Sequence, residues 1–384
     1  MNKKIFCLDM DAFFVSVERI YQPNLIGKPV VIHGNHNFAV KLKGVVAAAS
    51  YEARKHGVFS GMPLYLAYQK CPHAIFQEGH FLRYQKHSAL VYTFLSKYLP
   101  VLEQASIDEF YFDLTGCEKL YSNLFSFVTK LKIFINQSLH LPCSIGMGTN
   151  KHIAKLASKF AKPNRLMFVE PGTEKDFLAP YSIKYIQGIG KKTHDLLVKY
   201  GIFTIGQLSM QSESVLVRLL GKSGYDLLAK AKGLGEINFL TQGPRKSISK
   251  EVTFLVDIED VEYLKKQIAK LLEQICFDLR KENLKAGVLT IKIRYIDFTT
   301  KTMQQKIAVS NFENEIYLCA FKLFDKLYKR GVSLRLIGVR LSNLQEETPL
   351  QLFLDNSKQE ALYQAIDKLK FRFGSKIIST MSFS

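Results

Sequence analysis

Two acidic segments decide the fold: KIFCLDMDAFF at residues 4–14 and QASIDEFYFDLT at residues 104–115. The first begins as a short apolar run and ends at the carboxylate of Asp9, which is typical of a buried strand that ends at a polar site. The second places Asp108 and Glu109 between two strand-like runs, as in a hairpin. If the hairpin lies beside the first strand, carboxylates from both segments converge at one point.

Carboxylates that converge in this way have a metal-binding chemistry. Hard oxygen ligands suit Mg²⁺, which keeps several waters and takes substrate phosphates as further ligands. Two ions about 4 Å apart could activate an attacking hydroxyl and stabilise a leaving pyrophosphate. The alternative is that these acids are solvated residues at strand ends, because acidic side chains are mostly exposed. Spacing alone leaves both interpretations open.

The composition indicates a globular protein with two to four domains, given its 384 residues. No apolar run approaches the roughly 20 residues of a membrane helix. Asp9 interrupts the apolar start, so we expect no signal peptide and a cytoplasmic protein. The six cysteines are scattered without a C-x-x-C pair, and the nine histidines are dispersed. This argues against a disulfide framework and against a structural zinc site.

The charge favours a polyanionic partner. Lys and Arg number 53 against 34 Asp and Glu, a net charge of +19. Each basic side chain at a phosphate releases condensed counterions, so such an excess is typical of nucleic-acid binding. A basic protein without such a partner remains the alternative.

Apolar periodicity predicts alternating strands and helices up to about residue 170. The predicted strands cover 4–9, 29–33, 44–49, 101–105, 110–114 and 143–148. The predicted helices cover 11–22, 61–70, 81–98, 119–140 and 150–161. This alternation is typical of an α+β or α/β layer around one central sheet.

The pattern changes after residue 170. Residues 171–240 read as short helices broken by glycines, and the polar, Gly-Pro-containing stretch 241–250 reads as a linker. A second sheet domain follows, with strands predicted at 251–256, 286–296, 302–309 and 335–343 and helices at 260–282, 313–330 and 358–372.

Five segments resemble the signature segments of Y-family DNA polymerases, and they occur in the family's order. They are LDMDAFFVSVE (8–18), ASYEARKHGV (49–58), QASIDEFYFDLTG (104–116), AKPN (161–164) and QGIGKKT (187–193). The resemblance extends over nearly the whole chain and is strongest to the bacterial DNA polymerase IV type. Any one of these segments alone would be a weak signal.

The resemblance implies an α+β multidomain protein with the right-hand architecture of polymerases. The expected parts are a palm (1–11 and 79–170), fingers (12–78), a helical thumb (171–240), a linker (241–249), a little-finger α/β domain (250–345) and a tail (346–384). These parts leave no room for a proofreading exonuclease.

The resemblance also implies a low-fidelity, template-directed enzyme of translesion synthesis that adds dNTPs to a primer 3′ end with two Mg²⁺ ions. Asp9 and Asp108 would bridge both ions, and Glu109 would complete the catalytic metal site. The Met10 carbonyl would bind the nucleotide-side ion. Asp11 is not a metal ligand in the family pattern.

The same resemblance assigns residues to the incoming nucleotide. Tyr51, Arg54 and Lys162 match the residues that hold the triphosphate, and backbone amides at Phe13 and Phe14 would add donors. Phe14 also matches the steric gate, whose ring clashes with a ribose 2′-hydroxyl. Without the resemblance, Arg54 and Lys162 read as surface charges and Phe14 as a core aromatic.

DNA contacts are expected in two places. The segment 187–193 reads as a helix-hairpin-helix turn, whose amides and lysines would contact backbone phosphates without reading sequence. Its alternative is an ordinary loop between helices. The residues expected to touch DNA are Gly188, Gly190, Lys191 and Lys192 in this turn and Arg245, Lys246 and Lys250 in the linker.

The tail carries a short peptide that resembles the motif by which bacterial polymerases bind the sliding clamp. It comprises Gln351, Leu352, Phe353 and Leu354, with compressed spacing. Local packing is the alternative role. The expected partners are therefore primer-template DNA, dNTPs and the clamp, with the protein itself a monomer.

Two other functions fit parts of the sequence. A palm-type nucleotidyl cyclase shares the two-metal carboxylates, but it needs neither the helix-hairpin-helix turn nor a basic second sheet domain. A non-catalytic DNA-binding repair accessory would not need Asp108, Glu109, Arg54 and Lys162 together. Loss of primer extension in Asp108→Ala would exclude the second alternative.

Overall fold

The computed structural model describes residues 2–34, 43–117, 120–121, 123–239, 243–346, 357–374 and 378. It divides into two compact units, Met1–Thr241 and Gln242–Ser384. Across the described residues, no helix combines the length and the apolar character that crossing a bilayer requires.

Strands and helices alternate through both units. The strands are β1 (Ile5–Met10), β2 (Val30–His33), β3 (Val46–Ala49), β4 (Ile75–Glu78), β5 (Leu102–Gln104), β6 (Glu109–Asp113), β7 (Cys143–Gly148), β8 (Leu166–Phe168), β9 (Ser247–Ile258), β10 (Leu284–Tyr295), β11 (Thr300–Ser310) and β12 (Leu334–Glu346). The helices are α1 (Phe13–Tyr21), α2 (Tyr51–Lys55), α3 (Leu64–Lys70), α4 (Phe81–Leu95), α5 (Leu124–Leu139), α6 (Lys151–Ala161), α7 (Glu174–Leu178), α8 (Lys191–Lys199), α9 (Ile205–Ser209), α10 (Glu213–Leu220), α11 (Ser223–Ala231), α12 (Val261–Lys281), α13 (Glu313–Leu327) and α14 (Ser357–Phe373).

A five-stranded sheet with the order β5-β6-β1-β7-β8 forms the centre of the first unit. β1 is the middle strand, antiparallel to both β6 and β7, and all of its residues are buried. A strand covered on both faces needs apolar side chains on both, which explains why IFCL does not alternate. The prediction of a buried strand leading to Asp9 is confirmed, with β1 shifted by one residue so that it ends at Met10.

Helix α6 packs unusually close to this sheet. A Cβ atom on Gly146 of β7 would lie 2.1 Å from the Ser158 nitrogen and 2.3 Å from the Ala154 carbonyl oxygen. Only glycine permits that approach of a helix backbone to a strand. Asn150 begins the helix, because its side chain accepts a hydrogen bond from the Ile153 amide at 3.0 Å. These contacts set where α6 presents its side chains.

The remaining parts of the first unit form separate cores. A three-stranded sheet, β3-β2-β4, packs with α2 and α3 around buried residues that include Val31, Ala53 and Leu64. Strands β4 and β8 were not predicted. Helices α7 to α11 share an apolar core with one face of α6. The predicted helix 119–140 begins only at Leu124, where the Asn123 side chain caps the Ser126 amide.

The second unit is a four-stranded antiparallel sheet with the order β11-β10-β12-β9, covered on one face by α12 and α13. Strand β9 begins at Ser247, so the end of the segment interpreted as a linker is strand. In β10, buried Leu289, Ile291 and Ile293 alternate with partly exposed residues. This period of two confirms a sheet with one face on the core.

Candidate active site

Asp9 and Glu109 come together at one end of the central sheet. They are direct cross-strand partners in the β1–β6 ladder, and Ser144 of β7 lies opposite Asp9 on its other side. Cβ atoms of such partners are about 5 Å apart, and like charges at this spacing destabilise a sheet. The pair therefore needs cationic charge nearby.

Two lysines supply that charge. Lys155 Nζ lies 2.8 Å from Asp9 Oδ2 and also forms an ion pair with Glu109 Oε2. Lys162 Nζ lies 2.6 Å from Asp9 Oδ1 and donates to the Met10 carbonyl at 3.1 Å. Burial alone would lower the pKa of Lys155, but the neighbouring anions, Asp9 first, outweigh burial and raise it. Lys155 therefore contacts Asp9 and Glu109, which are expected to bind the catalytic ion. Lys162 contacts Asp9 and the Met10 carbonyl, which are expected to bind the nucleotide-side ion.

Lys155 is a site residue that sequence reasoning missed. It lies on α6 two helical turns before Lys162, which directly follows the helix. The seven-residue spacing within KLASKFAK (155–162) was available in the sequence, because residues spaced by seven share a helix face. What the sequence lacked was the position of α6, which depends on its close packing against Gly146.

Asp108 is placed differently from the other two acids. Its backbone carbonyl accepts a hydrogen bond from the Met10 amide at 3.0 Å, so its backbone lies directly beside the end of β1. Its carboxylate accepts from the Ser106 hydroxyl at 2.6 Å. Within the described residues, the oxygens of Asp9, Asp108 and Glu109 do not form a group in which all ligand atoms lie within 4.8 Å of one another.

Asp11 connects four segments around this site. It is 1% exposed, and its carboxylate accepts from Ser144 Oγ at 3.1 Å, from Tyr51 Oη at 3.1 Å and from the Asn164 amide at 2.7 Å. Burial raises the pKa of Asp11 above its usual range. This network joins the end of β1 to β7, to α2 and to the loop after Lys162.

Tyr51 and Arg54 lie together on α2, a helix that the apolar periodicity did not predict. The Arg54 guanidinium lies over the Tyr51 ring, 4.9 Å from its centre, and its Nε donates to the Ala49 carbonyl at 3.0 Å. The Ser50 side chain caps this helix through the Ala53 amide. Because Tyr51 also donates to Asp11, α2 is tied to the end of β1.

Phe14 is stacked on an anchored ring. Its centroid lies 4.2 Å from that of Tyr84, with the planes 10° apart. The Tyr84 hydroxyl donates at 2.9 Å to Glu18, a fully buried carboxylate that also pairs with Arg83 at 2.9 Å. Ala12 adopts φ 43°, a left-handed conformation that turns the chain sharply from β1 into α1. At the start of a helix, amides such as those of Phe13 and Phe14 lack intrahelical acceptors.

The predicted helix-hairpin-helix turn at residues 187–193 has an exposed, basic rim. Gly188 has φ +106°, which favours glycine, and Gly190 precedes the first residue of α8. Lys191 and Lys192 are exposed. Lys230 Nζ donates to the Gln187 carbonyl at 3.1 Å and holds the turn in place.

In the second unit, two of the three basic residues expected to touch DNA are already paired. Arg245 lies 2.6 Å from Glu282, and Lys250 lies 2.8 Å from Asp278. Lys246 is exposed. The clamp-like peptide Gln351, Leu352, Phe353 and Leu354 lies outside the described residues.

The uncovered face of the second sheet carries basic residues that were not singled out from the sequence. Lys292 and Arg294 alternate with the buried residues of β10, and Arg340 of β12 lies opposite Thr290 in the ladder. Lys306 of β11 is exposed opposite Val288. Lys292 is paired with Glu251 at 2.7 Å.

Comparison with known proteins places the chain in one family. The model of the impB/mucB/samB family matches residues 8–159, and that of the family's C-terminal domain matches residues 245–354. DNA polymerase IV of Dehalococcoides mccartyi is 37% identical over 98% of this chain and 97% of its own, and that of Clostridium kluyveri is 33% identical over 100% and 98%.

Solved structures give the same result. A Y-family DNA polymerase chimera of Dbh and Dpo4 superposes with a TM-score of 0.80 at 27% identity, covering 90% of this chain and 100% of the chimera. An insertion ternary complex of Dbh DNA polymerase has the same identity and coverage and a TM-score of 0.61. The chain belongs to the impB/mucB/samB family, the Y-family DNA polymerases.

Proposed function

We propose that this chain is a template-directed DNA polymerase of translesion synthesis in which Asp9, Asp108 and Glu109 bind two Mg²⁺ ions. Y-family polymerases are nucleotidyltransferases that use divalent metal ions. The observation that carries the proposal is the cross-strand pair of Asp9 and Glu109. Lys155 bridges the two carboxylates, and Lys162 pairs with Asp9. Neither the cyclase nor the accessory role is supported, because the relatives matched over the full chain are polymerases.

The donor set fits hard divalent cations. Carboxylate oxygens and the Met10 carbonyl are ligands that Mg²⁺ prefers. The ammonium groups of Lys155 and Lys162 supply positive charge at these oxygens. When bound, the ions would supply Lewis-acid activation of the primer hydroxyl and neutralise charge on the leaving pyrophosphate.

The chain's own groups would hold the nucleotide. Lys162 and Arg54 would contact the triphosphate. The Tyr51 ring, against which the Arg54 guanidinium lies, would fix the orientation of that guanidinium. The first amides of α1 would donate to phosphate oxygens, as helix N-termini do. Phe14 would exclude a 2′-hydroxyl, because its stacking on Tyr84 leaves the ring little freedom to move aside.

DNA binding is assigned to two basic surfaces, one in each unit. The turn around Gly188 would contact phosphates through amides and the exposed lysines 191 and 192. The uncovered face of the second sheet would contact the backbone through Arg294, Lys306 and Arg340. We further propose that the peptide 351–354 binds the sliding clamp and that the polymerase is a cytoplasmic monomer.

Primer extension tests the proposal. The full chain should extend a primer on undamaged and lesion-bearing templates only with a divalent ion. Glu109→Gln should abolish extension on both. Asp113→Asn is the matched control, since Asp113 is a carboxylate on the same strand but pairs with Lys3 at 2.9 Å, away from Asp9. Extension retained in Glu109→Gln, or lost equally in both variants, would contradict the assignment.

A further inference from the structure

A second group of metal-ligand side chains lies outside the candidate active site. In the described part of the chain, His56, Cys71 and His73 form a group in which one ligand atom from each lies within 4.8 Å of the other two. Cys71 Sγ is 3.6 Å from His73 Nε2, and the two imidazole rings meet edge to face with centroids 4.9 Å apart. This group was not predicted from the sequence, because its three members are dispersed along the chain.

Three element ends bring the group together. His56 directly follows α2, Cys71 directly follows α3, and His73 lies in the turn that leads into β4. Cys71 is fully buried in the core beneath these helices, whereas both histidines are exposed. Because His56 is distant from Cys71 and His73 along the chain, the fold alone makes them neighbours.

We propose that His56, Cys71 and His73 bind a zinc-type divalent cation, with water as the fourth ligand. A thiolate and two imidazoles are donors that Zn²⁺ prefers over Mg²⁺, and three protein ligands plus water is an established zinc geometry. The exposed histidine side gives the ion and its water a path from solvent. On binding, the Cys71 thiol releases its proton to solvent and its sulfur bonds to the metal.

Two local features bear on the thiolate. Burial raises the pKa of the Cys71 thiol, and the neighbouring Ala74 backbone amide offsets that rise only in part, so the bound cation itself must favour the thiolate. The Lys70 ammonium lies close to Gly57, beside the site, and opposes a bound cation. A thiolate ligand offsets that opposing charge, which a site of neutral histidines alone could not do.

A metal here would tie the end of α2 to the corner between α3 and β4. Helix α2 also carries Tyr51 and Arg54, and His56 lies two residues after Arg54. On the proposed function, in which both side chains contact the triphosphate, the site would fix the helix that carries them. The role of such a site would be positional, because its ligands lie after α2, after α3 and before β4, and not on the strands that carry the active-site carboxylates.

Cobalt binding to the full chain tests this proposal. Co²⁺ bound by a thiolate gives a charge-transfer band in the near ultraviolet, which the oxygen ligands of the active site cannot produce. We expect one equivalent of Co²⁺ with this band, and displacement of the band by equimolar Zn²⁺, since zinc binds such sites more tightly.

Variants make the test specific. Cys71→Ser should abolish the band, and His56→Gln and His73→Gln should each weaken Co²⁺ binding by more than about 10-fold, the loss typical even of outer-shell partners. Cys319→Ser, at a partly exposed cysteine of the second unit, should keep the band. Far-ultraviolet circular dichroism checks that each variant is folded. No band in the wild type, or a band that survives in folded Cys71→Ser, would overturn the proposal.

Discussion

The two large sheets of this protein differ in how they are covered, and they carry charge in opposite ways. In the first unit, Asp9, Glu109, Lys155 and Lys162 form one network at a single end of the sheet. In the second unit, basic side chains are spread over the uncovered face of the sheet. Concentrated charge of both signs is suited to metal ions and phosphoryl transfer, whereas dispersed positive charge is suited to a DNA backbone.

Burial explains the difference. β1 is covered on both faces, so its polar residue sits at the strand end, where neighbouring strands and α6 must supply compensating groups. β10 is covered on one face only, so every second residue is free to be polar. A sheet covered on both faces therefore concentrates its charged side chains at the ends of its strands. A sheet covered on one face distributes them over the other face.

Removing one carboxylate of the first unit should affect nucleotide addition and DNA binding most differently. Asp9→Asn should lower the rate of nucleotide addition by about a thousandfold or more, because a metal ligand contributes several kcal/mol of charge stabilisation. DNA affinity should change little, since the basic sheet face is intact. Single-turnover kinetics and a fluorescence anisotropy titration measure the two quantities. A parallel loss of both would show that the sheets do not divide these tasks.

Nucleotide selection should depend on the first unit alone. Phe14→Ala should relax discrimination against ribonucleotides by about 10- to 100-fold, the range for small steric differences in a pocket, and leave deoxynucleotide addition largely intact. Single-nucleotide incorporation with dNTP and NTP measures the ratio. Phe13→Leu serves as a control for core damage, because Phe13 is 4% exposed. An unchanged sugar preference in Phe14→Ala would refute the steric gate.

Neutralising the second sheet should weaken binding without affecting chemistry. The triple variant Arg294→Gln, Lys306→Gln and Arg340→Gln should reduce the salt slope of DNA binding by about 2 to 3. Turnover at saturating DNA should stay close to wild type.

A charge-matched control lies on the helical layer of the same unit. The triple variant Lys265→Gln, Lys322→Gln and Lys326→Gln changes the net charge equally but alters α12 and α13. If both triple variants gave the same slope, net charge rather than the sheet face would govern DNA binding.

The smallest effect concerns stability. Burial, with a contribution from Lys230, lowers the pKa of His152 on α6 to about 4, and its Nε2 has no partner among the described residues. The folded state therefore binds fewer protons than the unfolded state, and stability falls as pH drops from 6.5 toward 4. His152→Gln should reduce the decrease in the free energy of unfolding by about 1 kcal/mol per pH unit. Urea unfolding across this range measures the pH dependence, with His194→Gln, at a half-buried histidine, as the control. An unchanged slope in His152→Gln would contradict the burial argument.

Local patterns could be predicted from the sequence, and long-range positions could not. The buried strand at Asp9 and the alternation of β10 follow from burial, which leaves a periodicity in the chain. Lys155 was missed because its role depends on how closely α6 packs against Gly146. The pairing of Arg245 with Glu282 and the group around Cys71 were missed for the same reason, since their members meet only in the folded chain.

Counting bound metal ions tests the central claim most directly. Mn²⁺ replaces Mg²⁺ at oxygen ligands and its free fraction is measured by electron paramagnetic resonance. With a dideoxy-terminated primer-template and an incoming dNTP, the wild type and Asp113→Asn should each bind two ions. Glu109→Gln should retain only the ion that accompanies the triphosphate. Two ions bound equally tightly by Glu109→Gln would contradict a metal site built on the paired ends of β1 and β6.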